Sequence, residues 1–134
     1  MQEPQVSQIV QQYFSKQGYK IHREIAVGGT DREVIIDYWL FKEPNENIWV
    51  ECKGDQGISD LLEGFIRLEF AVFYGGGKGI LAIPNEAYQK LTKYAEFLKQ
   101  AENVICLLNV EEISLNTLTQ EVTDYNTLLQ TFID

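Results

Sequence analysis

Three polar residues with complementary chemistry lie in an otherwise apolar and aromatic stretch, residues 33–54. Asp37 is in the first apolar run, and Glu51 and Lys53 are in the second. Two carboxylates that converge on one side of an apolar sheet repel each other and lose hydration, so they need a compensating positive charge. Lys53 supplies one such charge, and a metal ion would supply another.

Carboxylates with open coordination positions favour Mg²⁺ or Mn²⁺, and the backbone carbonyl of Cys52 offers a further oxygen ligand. An ion held by Asp37 and Glu51 can orient and activate water beside a phosphodiester. Lys53 would then assist that water or stabilise the negative charge that develops during the reaction. The residue types therefore indicate metal-dependent hydrolysis.

A β-hairpin is predicted to bring these side chains together. Residues 34–41 and 48–52 have strand composition, and the polar residues between them, including Pro44, are typical of a turn. If the turn is centred on Pro44, Asp37 lies opposite Glu51, and directly opposed Cβ atoms are about 4.5 to 5.5 Å apart. One cation can bridge two carboxylates at that separation.

The same alignment places Trp39 opposite Trp49. A register shift of two residues would place Asp37 opposite Lys53 instead. Because side chains alternate with a period of two, Asp37, Glu51 and Lys53 would still share one face of the sheet. The predicted site is therefore compatible with either register.

Hydrophobic periodicity and turn residues predict the elements that surround the hairpin. They are an amphipathic helix over 4–17, a strand over 19–27, a helix over 57–74, a strand over 80–83, a helix over 85–100, a strand over 104–110 and a helix over 114–133. We expect a three-layer α/β domain, with a mixed sheet flanked by helices in the order α-β-β-β-α-β-α-β-α.

Asp37, followed after thirteen residues by Glu51-Cys52-Lys53, resembles the PD-(D/E)XK nuclease superfamily over roughly residues 4–84. The resemblance implies a restriction-endonuclease-like domain spanning 1–134, with 111–134 as a C-terminal helical extension. It also implies that Asp37, Glu51 and Lys53 are catalytic, and that Asp37, Glu51 and the Cys52 carbonyl bind the metal.

The chain departs from the superfamily pattern in two ways. Ile36 precedes Asp37 where the motif has Pro, and residues 5–17 contain no acidic residue although many members carry one on the first helix. Glu3 or Glu24 would have to substitute for that residue, or the site has only two carboxylates.

The helix that follows the Glu-x-Lys triplet often contributes a further polar residue in this superfamily. In this chain, Glu63 or Arg67 would take that role, or the two side chains would simply pair on the helix surface, since they are four residues apart. Glu24, Glu63 and Arg67 are therefore the auxiliary candidates.

We expect a Mg²⁺- or Mn²⁺-dependent endonuclease that acts on DNA. The alternative is a catalytically silent domain of the same fold that binds DNA or protein as an assembly module. The net charge of −9 favours the alternative, because excess negative charge repels nucleic acid. However, residues 101–134 hold six acids and no Lys or Arg, so residues 1–100 carry only −3.

The sequence contains no apolar N-terminal segment and no run of eighteen apolar residues, so we expect a cytoplasmic protein without a membrane span. Cys52 and Cys106 both lie in apolar runs and are predicted to be reduced and buried. An apolar stripe over residues 115–132 follows heptad spacing, which favours packing on the domain or formation of a homodimer. Light scattering at micromolar concentration that shows only monomer would exclude the homodimer.

Overall fold

The computed structural model describes residues 1–28, 34–94 and 105–113. The elements are α1 (Glu3–Lys16), β1 (Lys20–Val27), β2 (Val34–Lys42), β3 (Glu46–Cys52), α2 (Ile58–Gly75), β4 (Lys78–Ile83), α3 (Asn85–Thr92) and β5 (Ile105–Asn109). The third helix is shorter than expected, since it ends at Thr92 rather than near residue 100. The helix predicted over 114–133 lies outside the described residues.

The five strands form one mixed sheet in the order β1-β2-β3-β4-β5. β1, β2 and β3 pair antiparallel, whereas β3, β4 and β5 pair parallel. The parallel pairs follow from the helices α2 and α3, because a parallel connection needs a crossover long enough to return to the start of the next strand. The expected α/β architecture, a mixed sheet flanked by helices, is confirmed.

α1 covers one face of the sheet. Its buried residues Val6, Val10 and Phe14 are spaced four apart, which places them on one side of the helix. They pack in a cluster, here called the α1 core, with even-numbered sheet residues that include Val50 and Cys52. Val110 and Ile113, which follow β5, belong to the same cluster, so they cover this face of the sheet together with α1.

α2 and α3 cover the opposite face. Leu61, Phe65 and Leu68 of α2 pack against sheet residues such as Leu81 and Leu107 in a second cluster, the α2 core. The strands β4 and β5 are buried on both faces, which explains why their sequences are continuously apolar. None of the described helices is long and apolar enough to cross a membrane.

Candidate active site

β2 and β3 separate at the predicted site. The pairing of β2 with β3 confirms the register centred on Pro44, since Trp39 faces Trp49, but it ends at Tyr38 and Val50. Where the next pair would stand, the backbone N–H of Asp37 donates to Glu51 Oε1 over 2.9 Å. The regular pairing between β2 and β3 therefore stops at this position.

The second carboxylate makes the reciprocal contact. The backbone N–H of Cys52 donates to Asp37 Oδ2 over 2.8 Å, while the N–H of Lys53 continues the ladder to Ala82 O over 3.0 Å. Buried backbone N–H groups need acceptors, and here two carboxylates satisfy those that the separating strands leave unpaired. Asp37 and Glu51 are thus brought together by the backbone of the opposite strand.

The alternation of side chains along β2 is interrupted at Asp37. Ile36 packs in the α2 core and Tyr38 packs in the α1 core, although residues two apart in a regular strand share a face. The register of the hairpin still places Asp37 at the position opposite Glu51, as expected, but the regular pairing ends one residue earlier. Each carboxylate instead accepts a backbone N–H of the opposite strand.

Glu51 is buried, with only 2% of its surface exposed. Its neighbour on β4 is Leu81, a member of the α2 core. Burial, followed by the negative charge of Asp37, raises the pKa of the Glu51 carboxyl from 4.5 to about 7. The hydrogen bond from Asp37 and the positive charges of Arg67 and Lys53 oppose that rise. The negative charge on Glu51 is therefore unfavourable unless the carboxylate binds a cation or a proton.

Lys53 lies against α2. A Cβ atom built on Gly64 would be 3.2 Å from Lys53 Cε and 3.0 Å from Leu81 Cδ1. The absence of a side chain at Gly64 leaves space for the stem of Lys53 between β3 and the helix. Glu51 on β3 and Lys53 just after its end thus lie on the α2 side, where the lysine charge acts on the buried carboxylate.

The two auxiliary candidates on α2 contact each other. Arg67 Nη2 is 2.8 Å from Glu63 Oε1, and both side chains are about half exposed. Exposed ion pairs of this kind contribute little to stability. Arg67 nevertheless lowers the pKa of Glu51, whereas Glu63 is occupied by its arginine partner. Of the two, Arg67 is the one whose charge affects the pKa of Glu51.

An open groove of about 290 Å³, here called the Asp37 groove, lies beside the first turns of α1. It is lined by Glu3, Pro4, Ser7, Arg23, Glu24, Asp37, Tyr38 and Cys52. Glu51 and Lys53 do not line it. The Asp37 groove therefore gives solvent access to one carboxylate of the pair, while the carboxylate of Glu51 is buried outside it.

Glu3 and Glu24, the two proposed substitutes for a helix carboxylate, both line the Asp37 groove. Glu3 is brought there because the N-terminus packs closely against Gly54, just after the end of β3. A Cβ atom added to Gly54 would lie 2.7 Å from the backbone nitrogen of Glu3, so a larger residue would not fit. Glu24 has a φ of 53°, a left-handed conformation that is uncommon for residues other than glycine. Strained residues of this kind concentrate at functional sites.

The carboxylates suit a divalent cation. Asp37 Oδ1 and Glu51 Oε2 accept no hydrogen bond within the described part of the chain, so each carboxylate keeps one free oxygen. Mg²⁺ is usually held by one or two carboxylates and keeps several waters. Over residues 1–28, 34–94 and 105–113, no group of three or more His, Cys, Asp or Glu side chains is close enough to share an ion. Within those ranges, a metal at this position would have Asp37 and Glu51 as its acidic ligands.

The sequence did not single out the contacts of Tyr38. This buried tyrosine receives a 2.5 Å hydrogen bond from Gln11 Nε2, and its hydroxyl also bonds to Ser7 Oγ. These contacts fix α1 to β2 beside Asp37. Because Tyr38 lies within an apolar run, its aromatic character alone predicts packing and gives no signal of this polar role.

The raised pKa of Glu51 predicts a pH-dependent stability. Between pH 4.5 and about 7, the folded chain keeps a proton on Glu51 that the unfolded chain has lost. Stability therefore falls as the pH rises through this window, by up to about 3 kcal/mol. Glu51→Gln keeps a neutral side chain at every pH and should not show this loss.

Urea unfolding of both proteins in EDTA at pH 5 and pH 8 would measure the effect. We expect the free energy of unfolding of Glu51→Gln, relative to that of the wild type, to be about 3 kcal/mol higher at pH 8 than at pH 5. A stability difference that is the same at both pH values would contradict the assignment.

The chain matches no protein-family model, no curated protein and no solved structure. A function for this site must therefore be argued from its geometry, burial and charge.

Proposed function

We propose that the chain is a Mg²⁺- or Mn²⁺-dependent nuclease that hydrolyses DNA phosphodiester bonds, on a three-layer, restriction-endonuclease-like domain. One observation carries the proposal: Asp37 and Glu51 are held together at the point where two strands separate, with Glu51 buried at 2% exposure under the charges of Lys53 and Arg67. A crowded carboxylate pair with one buried member is costly for a domain that has no use for a cation.

Asp37 and Glu51 would hold the ion through the oxygens that accept no backbone hydrogen bond, with the carbonyl of Cys52 as a further ligand. When bound, such an ion supplies Lewis-acid chemistry that activates water and stabilises charge on the phosphoryl group. Lys53 would donate hydrogen bonds to the negative oxygen that develops on the phosphate, or assist the proton transfer of the attacking water. Arg67 adds positive charge on the same side.

The proposal is tested by incubating the purified chain with plasmid, single-stranded and branched DNA. Cleavage should require Mg²⁺ or Mn²⁺, should stop in EDTA, and should leave a 5′-phosphate on the product. If the chain cuts none of these substrates in Mn²⁺, the nuclease proposal fails.

Gly64→Ala tests whether the position of Lys53 matters. The added methyl group would press on Lys53 Cε at 3.2 Å and move the lysine by a few tenths of an ångström. We expect the rate of cleavage to fall about tenfold, because small misplacements of a catalytic group are expensive. Helix stability should be nearly unchanged, since the higher helix propensity of Ala, about 1 kcal/mol, offsets the crowding.

The matched control is Gly57→Ala, which adds the same methyl group where no atom lies within 4 Å. It should keep the wild-type rate. Equal rates for Gly64→Ala and the wild type, measured under single-turnover conditions, would show that the position of Lys53 does not limit catalysis.

A second candidate function is a catalytically silent module that binds DNA or protein. It is favoured by the lack of a three-carboxylate group over the described residues and by the net charge of −9. Calorimetric titration with Mn²⁺ separates the two functions, because a silent module has no need to bind the ion. For either function, a homodimer remains a proposal, since the apolar stripe that suggests it lies outside the described residues.

A further inference from the structure

Arg23 is the cationic residue of an otherwise acidic groove. It lines the Asp37 groove together with the carboxylates of Glu3, Glu24 and Asp37. Despite these neighbours, it forms neither an ion pair nor a hydrogen bond with any residue that the structure describes. Its N–H groups are therefore available to a ligand that enters the groove.

The side chain of Arg23 lies over the ring of Tyr38. The two residues are directly opposite each other in the pairing of β1 and β2, and the guanidinium carbon is 6.0 Å from the centre of the tyrosine ring. A cation over an aromatic face is attracted by the ring quadrupole. The ring is itself fixed, since the Tyr38 hydroxyl bonds to Ser7 and Gln11 of α1. Arg23 thus has an aromatic neighbour and, among the residues that the structure describes, no partner of opposite charge.

From this geometry we infer that Arg23 binds a phosphate of the nucleic-acid strand that enters the Asp37 groove. The inference rests on the proposed function in placing the scissile phosphate at Asp37 and Glu51. A guanidinium can hold two phosphate oxygens at once through its planar fork of donors. Within a groove lined by three carboxylates, this contact offsets the repulsion that a phosphate would otherwise meet.

The test compares Arg23→Ala with Lys16→Ala in a Lys53→Ala background, in which turnover is suppressed. Lys16→Ala is the matched control because it also removes one positive charge, but from the opposite end of α1, about 20 Å along the helix from Glu3. Fluorescence anisotropy would measure binding of short single-stranded and double-stranded DNA in Mn²⁺ at several salt concentrations. Calorimetry would measure Mn²⁺ affinity in the same variants.

We expect Arg23→Ala to weaken DNA binding at least about tenfold and to lower the salt slope by about one, because one charged phosphate contact is lost. Lys16→Ala should weaken binding by less than about threefold, and Arg23→Lys should fall between the two because it keeps the charge without the fork. Mn²⁺ affinity should be the same in all of them.

Equal losses in Arg23→Ala and Lys16→Ala would overturn the inference, since only diffuse charge would then be involved. Absence of DNA binding by the wild type and by Lys53→Ala would overturn it as well. If DNA binding depends on Arg23 but the wild type cuts no DNA, the nuclease proposal fails and the phosphate contact stands. If the wild type cuts DNA and Arg23→Ala binds normally, the nuclease proposal stands and the contact is refuted.

Discussion

Asp37→Asn and Glu51→Gln are each expected to abolish Mn²⁺ binding and to reduce DNA cleavage below detection. Each change removes a negative oxygen from a site that has two carboxylates and, over the described residues, no third. Asn and Gln retain an oxygen that can accept the N–H of Cys52 or Asp37, so the separated strands keep their hydrogen bonds. These variants therefore isolate the loss of charge from damage to the fold.

The corresponding alanine variants provide the comparison. Asp37→Ala leaves the N–H of the buried Cys52 without an acceptor, which should cost about 1 to 3 kcal/mol of stability. Calorimetry with Mn²⁺, plasmid cleavage and urea unfolding on all four proteins would separate the two effects. Retention of Mn²⁺ binding by both amide variants would refute the metal assignment.

Lys53→Ala is expected to lower the cleavage rate by at least about 10²-fold, the scale of a lost acid–base or charge-stabilising group. Its affinity for Mn²⁺ should be retained, because Lys53 is not a proposed ligand. Removal of its positive charge should also raise the pKa of Glu51 further, since that charge now opposes the rise.

Single-turnover cleavage at saturating Mn²⁺ and a pH–rate profile would measure these effects. If Lys53 only balances the charge of the two carboxylates, Lys53→Ala should change the affinity for Mn²⁺ but leave the cleavage rate at saturating Mn²⁺ unchanged. That outcome would remove Lys53 from catalysis and leave it as a residue that only balances charge.

Much of the sheet could be predicted from the sequence. Strand and helix periodicities are local properties, so the five strands were located and the register of the hairpin was obtained from its turn residues. Trp39 faces Trp49 as expected, because a short turn leaves few alternative alignments. The end of the third helix was misplaced, since α3 stops at Thr92 although a helical pattern continues to residue 100.

The sequence by itself identified the candidate residues for the proposed chemistry, since Asp37, Glu51 and Lys53 combine the required types with strand spacing. Tertiary structure decided how they meet: the strands separate at Asp37, the carboxylates accept backbone N–H groups, and Glu51 is buried at 2% exposure. Packing of α1 and α2 on opposite faces buries Glu51, and that burial, together with the negative charge of Asp37, raises the pKa of Glu51. It also places Arg23, distant in sequence from Glu51, in the groove beside Asp37, because a groove is formed by elements that only folding brings together.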